Sequence, residues 1–259
     1  MTFKKVLAVQ EEASQHWVGD GFPVRTMFPS HRVTFDKITP FLLLDYAGPK
    51  HFEPSEAPRG VGEHPHRGFE TVTIAYQGSV AHRDSSGSAG VIGPGDVQWM
   101  TAASGVVHEE MHEREFSRQG GTFEMVQLWV NLPKAHKMST PGYQTLMSSQ
   151  IPVDEWNGGS LRVIAGDYNG KKGPAKTLTP GGRFDLKLEA GGEAELTFRE
   201  GDTAALFFAG HGVAIGGVNY LIPSDVPAVT EGAEARVRGA SLAEPDLIAE
   251  LQARSVRVA

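Results

Sequence analysis

Turn-forming residues recur so often in this chain that no long regular element fits between them. Its 259 residues include 31 glycines and 16 prolines, a share well above that of average globular sequences. They fall in short groups, such as Gly93-Pro94-Gly95-Asp96, Thr179-Pro180-Gly181-Gly182 and Ala190-Gly191-Gly192, and not in one low-complexity block. Glycine admits positive φ, and proline fixes φ and lacks a donor, so each group ends the element before it. The intervening stretches have strand length and strand composition: Thr71–Tyr76 (TVTIAY), Asp96–Thr101 (DVQWMT), Glu124–Val130 (EMVQLWV), Arg183–Leu188 (RFDLKL), Glu195–Phe198 (ELTF) and Thr203–Ala209 (TAALFFA). The pattern predicts an all-β sandwich or barrel with few short helices. One helix is expected near the end, where Ser241-Leu242-Ala243-Glu244-Pro245 can cap and open a segment continuing as DLIAELQARS.

The length suits one large domain or two compact ones. Leu132–Tyr143 (LPKAHKMSTPGY) carries two prolines and small polar residues between two strand-rich halves. The simplest division is therefore residues 1–135 and residues 136–259, each a β domain. A net charge of -7 leaves no broad basic surface, so direct nucleic-acid binding is not expected. No apolar run is long enough to span a bilayer, and Val6-Leu7-Ala8-Val9 is too brief for a signal-peptide core. The expectation is a cytoplasmic protein with no membrane partner.

There is no cysteine. Disulfides, thiolate zinc sites, iron–sulfur clusters and cysteine nucleophiles are all excluded, and any metal must be held by nitrogen and oxygen. The sequence contains no G-x-S-x-G elbow, no P-loop and no G-x-G-x-x-G after a strand; Gly212–Gly217 reads as strand and turn.

Histidine carries the chemical signal. In Gly62–Gly78 (GEHPHRGFETVTIAYQG), His64 and His66 stand two apart, so an extended strand projects both from one face. Beyond the GPGD turn, Thr101–His112 (TAASGVVHEEMH) gives His108 and Glu110 the same parity. If the two segments pair, three imidazoles and one carboxylate meet. Such a set suits Fe(II), Mn, Ni, Co, Cu or Zn, and suits Ca or Mg poorly. Glu70 shares the parity of His64 and His66 and competes with Glu110 for the carboxylate position. His112 lies where the sequence turns charged and reads as a solvated strand end. His82, in SVAHRDSSG, sits near a hairpin; a surface role is the simpler reading and support of a ligand imidazole the alternative. His16, His31, His51, His136 and His211 are isolated and read as surface or structural residues.

At these residues the chain resembles the pirin family, a branch of the two-barrel cupin proteins. HPHRGFETVT at His64–Thr73, PGDVQWMTA at Pro94–Ala102 and HEEM at His108–Met111 carry the resemblance, extended by FLLLDY at Phe41–Tyr46 and KMSTPGYQ at Lys137–Gln144. It implies two cupin-type β-barrels (double-stranded β-helices) in one chain. The metal belongs to the N-terminal domain, residues 1–135, and the C-terminal cupin-like domain, residues 136–259, holds none. It also implies His64, His66, His108 and Glu110 as metal ligands, which moves Glu70 and His82 behind the ligands as supports for their rings. The resemblance further implies one divalent transition ion per chain, Fe(II) foremost. Two departures stand out. Ala103 replaces a glycine usual before the metal histidine, and no Gly-Pro-Phe-rich segment follows Arg238.

The resemblance implies a metal-dependent dioxygenase opening flavonols of the quercetin type, with dioxygen as co-substrate and loss of carbon monoxide. Glu110 would be its catalytic base. The alternative it implies is a metal or redox sensor that binds a partner protein without turnover, as a transcriptional or metabolic cofactor.

Overall fold

The structure, a computed structural model, describes residues 7, 8, 10, 13–189 and 192–207, and the backbone alone of strand residues 2–4, 211–215, 218–222, 242–243 and 256–258. The chain divides into two compact units. One comprises residues 8–152 and 163–183, the other residues 1–7, 153–162 and 184–259.

Two large antiparallel sheets make up most of the first unit. Their strands, in chain order, are β1 (Gln15–Val18), β2 (Phe22–Phe28), β3 (Phe41–Phe52), β4 (Gly60–His66), β5 (Phe69–Gln77), β6 (Val80–Asp84), β7 (Ala89–Ile92), β8 (Val97–Thr101), β9 (Val106–His112), β10 (Gly121–Asn131) and β11 (Gly142–Leu146). The larger sheet has the order β11-β8-β5-β10-β3-β2-β1 and the smaller β4-β9-β6-β7. No ladder among the described residues joins the two sheets. The unit is thus a two-layered jelly roll, not a barrel closed through main-chain hydrogen bonds. Strand β11 follows the proline-rich segment and pairs with β8.

The strands at Thr71–Tyr76, Asp96–Thr101 and Glu124–Val130 form as their composition predicts, inside β5, β8 and β10. Apolar residues of both sheets meet between the layers: Phe22, Val24, Ala47, Phe52, Ala75, Phe123 and Met125 from the larger, Val80 and Ile92 from the smaller. This apolar packing sits at one end of the interlayer space, and the polar residues described below occupy another part of it.

Two short α-helices interrupt the strands, Phe35–Ile38 and Arg114–Gln119. The Glu113 carboxylate accepts from the Phe116 amide to cap the second, and Gly120, at φ 68°, ends it. No helix among the described residues is long and apolar enough to cross a membrane.

In the second unit, Val153–Trp156 and the start of Gly159–Ala165 pair as a hairpin in a sheet that includes Arg183–Leu188. The last of these is a strand as its alternation predicts, with Arg162 Nη1 3.0 Å from Asp185 Oδ2. Separate small sheets pair Thr2–Lys4 with Val256–Val258, and His211–Ile215 with Val218–Ile222 and Leu242–Ala243.

Two strand expectations fail here. Glu195–Phe198 contributes a single bridge residue, and of the expected Thr203–Ala209 strand residues 203–207 form none, while residues 208 and 209 lie outside the described residues. Strand-like composition measures fit to a pleated, half-buried surface, and it yields a ladder only where a neighbouring strand supplies partners. The expected helix after Pro245 lies outside the described residues, and Leu242 and Ala243 at its start are in a strand.

Candidate metal centre

Register brings the histidine segments together. β9 lies between β4 and β6, and His108 stands opposite His64 on one side and Asp84 on the other. A shift in register between His108 and Glu110 marks a bulge in the β4–β9 ladder. Bulges re-aim side chains, and this one falls between two candidate ligands. Beyond the bulge Glu110 stands opposite Val61 of β4 on one side and His82 of β6 on the other.

Ligand atoms of His64, His66 and His108 all lie within 4.8 Å of one another, as do those of His82, His108 and Glu110. The two groups overlap at His108. Ring centroids within the first group are 4.3 Å apart for His64–His108, 4.7 Å for His64–His66 and 4.8 Å for His66–His108. Glu70 belongs to neither group. Its carboxylate is fully buried and accepts from the Thr101 hydroxyl at 2.9 Å and the Thr177 hydroxyl at 2.7 Å. His82 touches the cluster directly, with its Nδ1 3.3 Å from His108 Nδ1.

The His66 and His108 imidazoles are held neutral. Burial, reinforced by the adjacent His108 and His64, pushes the His66 ring down to about 4, against the opposing pull of Glu110. Burial likewise pushes His108 down to about 3, with His64 and His82 adding to the effect and Asp84 opposing it. Neutral rings are the form that binds a metal. His64 Nδ1 lies 2.8 Å from the Gly62 carbonyl, which can only accept, so Nδ1 carries a hydrogen and in the neutral ring Nε2 is the lone pair.

His108 Nε2 is buried and has no hydrogen-bond partner. A buried polar atom left bare is uncommon and costly. A ring nitrogen in that state, beside two further imidazoles and near a carboxylate, suits a divalent transition ion, so the residues present fit one.

Glutamine amides hold Glu110 in place. Gln98 Nε2 donates to Oε1 at 2.5 Å, and Gln127 Nε2 donates to Oε2 at 3.0 Å. Gln98, Thr73 and Gln127 form one row across β8, β5 and β10, so a polar stripe of the larger sheet faces the carboxylate on the smaller. Tyr143 donates to Gln98 Oε1 at 3.2 Å, and the Trp129 indole donates to Gln127 Oε1 at 3.1 Å. Trp129 also stacks on Phe69 at 4.6 Å, and both rings lie 5.0 Å from His66.

Sequence reasoning missed these supports. A signal existed for Gln98, the polar residue in the otherwise apolar Val97–Met100, because a glutamine in a buried strand needs partners. Asp84, which receives the His82 Nε2 hydrogen at 3.0 Å, shares strand parity with His82.

His112 corrects an expectation. Only 1% exposed, it is not a solvated strand end. Its ring stacks on Phe123 at 4.7 Å, meets Phe52 edge-on at 4.6 Å, and donates from Nε2 to the Gly21 carbonyl at 2.9 Å. The charged residues that follow belong to the Arg114–Gln119 helix, so the change in composition marks the end of β9 and not the loss of burial.

The Pirin family model matches residues 21–130. A Pseudomonas aeruginosa protein provisionally named quercetin 2,3-dioxygenase is 55% identical over 215 residues, covering 82% of this chain and 75% of that protein. A pirin-like protein of Solanum lycopersicum is 41% identical over 193 residues, covering 74% of this chain and 60% of the relative. Among solved structures, a quercetin 2,3-dioxygenase from Acinetobacter baumannii superposes with a TM-score of 0.69 at 53% identity, covering 74% of this chain and 66% of that one.

Proposed function

Because this chain belongs to the pirin family, we propose that it is a metal-dependent dioxygenase acting on flavonol-type substrates. The observation that carries this reading is the bare, buried Nε2 of His108, a residue grouped with His64 and His66 and, in an overlapping set, with His82 and Glu110. In this reading His64, His66, His108 and Glu110 hold one divalent transition metal, Fe(II) foremost. When bound, the ion supplies Lewis acidity toward a substrate hydroxyl.

The chain's own residues supply position and a proton acceptor. Each Glu110 oxygen accepts one glutamine amide and keeps a further lone pair, so the carboxylate is oriented and still able to take the proton of an enol hydroxyl. Phe69 and Trp129, stacked on one another beside His66, offer an aromatic surface against which a flat polyphenol can pack. His82 supports His108 and is not a ligand, and Glu70, held by the Thr101 and Thr177 hydroxyls, is not a ligand either. The ligand set lies wholly within residues 1–135, and no ligand is assigned within residues 136–259.

Iron-loaded protein supplied with a flavonol panel is expected to consume dioxygen with matching release of carbon monoxide. Glu110→Gln should slow this by about 100-fold or more, the scale of a lost general base. Turnover at the background rate across the whole panel would overturn the reading.

A further inference from the structure

We infer that Asp84 and His82 form a hydrogen-bond relay that fixes the tautomer of His108, so that its Nε2 lone pair is presented to the metal. The inference rests on the reading of His108 as a ligand, and it assigns to Asp84 and His82 a positioning role that neither ligand geometry nor fold requires.

The chain of hydrogens can be followed from its outer end. Asp84 Oδ1 accepts from the Ser86 amide at 2.8 Å, the Ser86 hydroxyl at 2.6 Å and the Ser88 amide at 3.1 Å. That turn leaves Oδ2 for His82, whose Nε2 lies 3.0 Å away. A carboxylate accepts, so His82 Nε2 carries the hydrogen, and in the neutral ring Nδ1 is a lone pair. That lone pair faces His108 Nδ1 at 3.3 Å, so the His108 hydrogen must sit on Nδ1. Nε2 of His108 is then the lone pair, and it is the atom with no partner in the protein.

The surroundings favour transmission along this path. Side-chain exposure is 0% for His82 and 2% for Asp84, so water does not compete at either. Tyr143 stacks on the His82 ring at 4.4 Å with the planes 14° apart, which restrains ring rotation. Register contributes as well, since β6 and β9 place Asp84 opposite His108 and His82 opposite Glu110.

An isosteric change should run the relay backwards. In Asp84→Asn, the three donors of the turn claim the amide oxygen, which turns the NH₂ group toward His82. His82 Nε2 must then accept, its hydrogen moves to Nδ1, His108 Nδ1 becomes the acceptor, and the His108 hydrogen moves to Nε2. The ligand lone pair is lost. Asp84→Ala, by contrast, dismantles the turn but leaves His82 free to keep either tautomer.

The test combines ring-nitrogen NMR of metal-free, ¹⁵N-labelled protein at neutral pH with calorimetric titration of Co(II). Wild type should show hydrogens on His82 Nε2 and His108 Nδ1, and Asp84→Asn should show both exchanged. Co(II) affinity should fall about 10–100-fold in Asp84→Asn, the usual scale for a lost support behind a ligand, and fall less in Asp84→Ala. A merely structural role for the turn gives the opposite order, because asparagine preserves its three hydrogen bonds and alanine does not. The relay is overturned by a hydrogen on His108 Nε2 in the wild type, by a doubly protonated His82, or by Asp84→Ala binding Co(II) no better than Asp84→Asn. Wild-type protein with the stated tautomers that fails to bind Co(II) would sustain the relay and sink the metal reading.

Discussion

Gln98 and Glu110 face each other across the two sheets, the amide nitrogen of one 2.5 Å from a carboxylate oxygen of the other, with both side chains buried. The bond ties the smaller sheet to the larger at the candidate metal centre. Gln98→Met keeps the volume and deletes the donor, leaving Glu110 Oε1 without that partner. The expected cost is about 1–3 kcal/mol. Urea unfolding of the metal-free protein measures it, and an unchanged midpoint would show that Glu110 does not depend on the bond.

Loss of a ligand ring should separate binding from folding. His66→Ala and His108→Ala are each expected to abolish tight metal binding while leaving the β-sheet circular dichroism of the protein intact. Elemental analysis after anaerobic purification reports the metal. Stoichiometric metal retained in both variants would contradict the ligand assignment.

Acid should destabilise the metal-free protein through these same rings. His66 and His108 sit near 4 and 3 when folded, against an ordinary 6.5. Burial also lowers His112, although the Gly21 carbonyl pulls the other way. Between the folded and ordinary values the unfolded chain binds more protons, so stability rises with pH across that window. The contribution is complete above 6.5 and is lost as pH falls toward 3. Unfolding midpoints measured across the window should decline toward acid, and His108→Gln should flatten the decline. A midpoint independent of pH would refute the buried-imidazole account.

Ala103 lies in the left-handed region at φ 42° with no exposed surface. A β-branched side chain there is penalised twice, by backbone strain and by overpacking. Ala103→Val is expected to cost about 2–3 kcal/mol, while Ala103→Gly should stay within about 1 kcal/mol of wild type. Thermal unfolding of both variants gives the order, and valine tolerated as well as glycine would exclude strain at this position.

His112 is a packing residue in an aromatic cluster. His112→Ala opens a cavity beside Phe52 and Phe123 and leaves the Gly21 carbonyl without its donor, at an expected cost of about 3 kcal/mol. Denaturant unfolding tests this. A cost below about 0.5 kcal/mol would return the residue to the solvated role that its charged neighbours suggest.

What was readable in the sequence was whatever depends on neighbours along the chain. Turn residues at short intervals fixed the all-β character, strand periodicity put His64 with His66 on one face, and the HPH and HEE segments carried the family resemblance. The absence of cysteine limited any metal to nitrogen and oxygen ligands. Ladders and burial depend on partners distant in sequence, and there local reading failed. Glu195–Phe198 and Thr203–Phe207 look like strands and form no ladder, and His112 looks solvated and is buried. Tertiary structure alone decided that Gln98, Thr73 and Gln127 align in one row opposite Glu110. It also decided that Asp84 stands behind His82 and His82 behind His108. Hydrogen bonds require close approach across strands, and a strand's own sequence does not state its neighbour or its register.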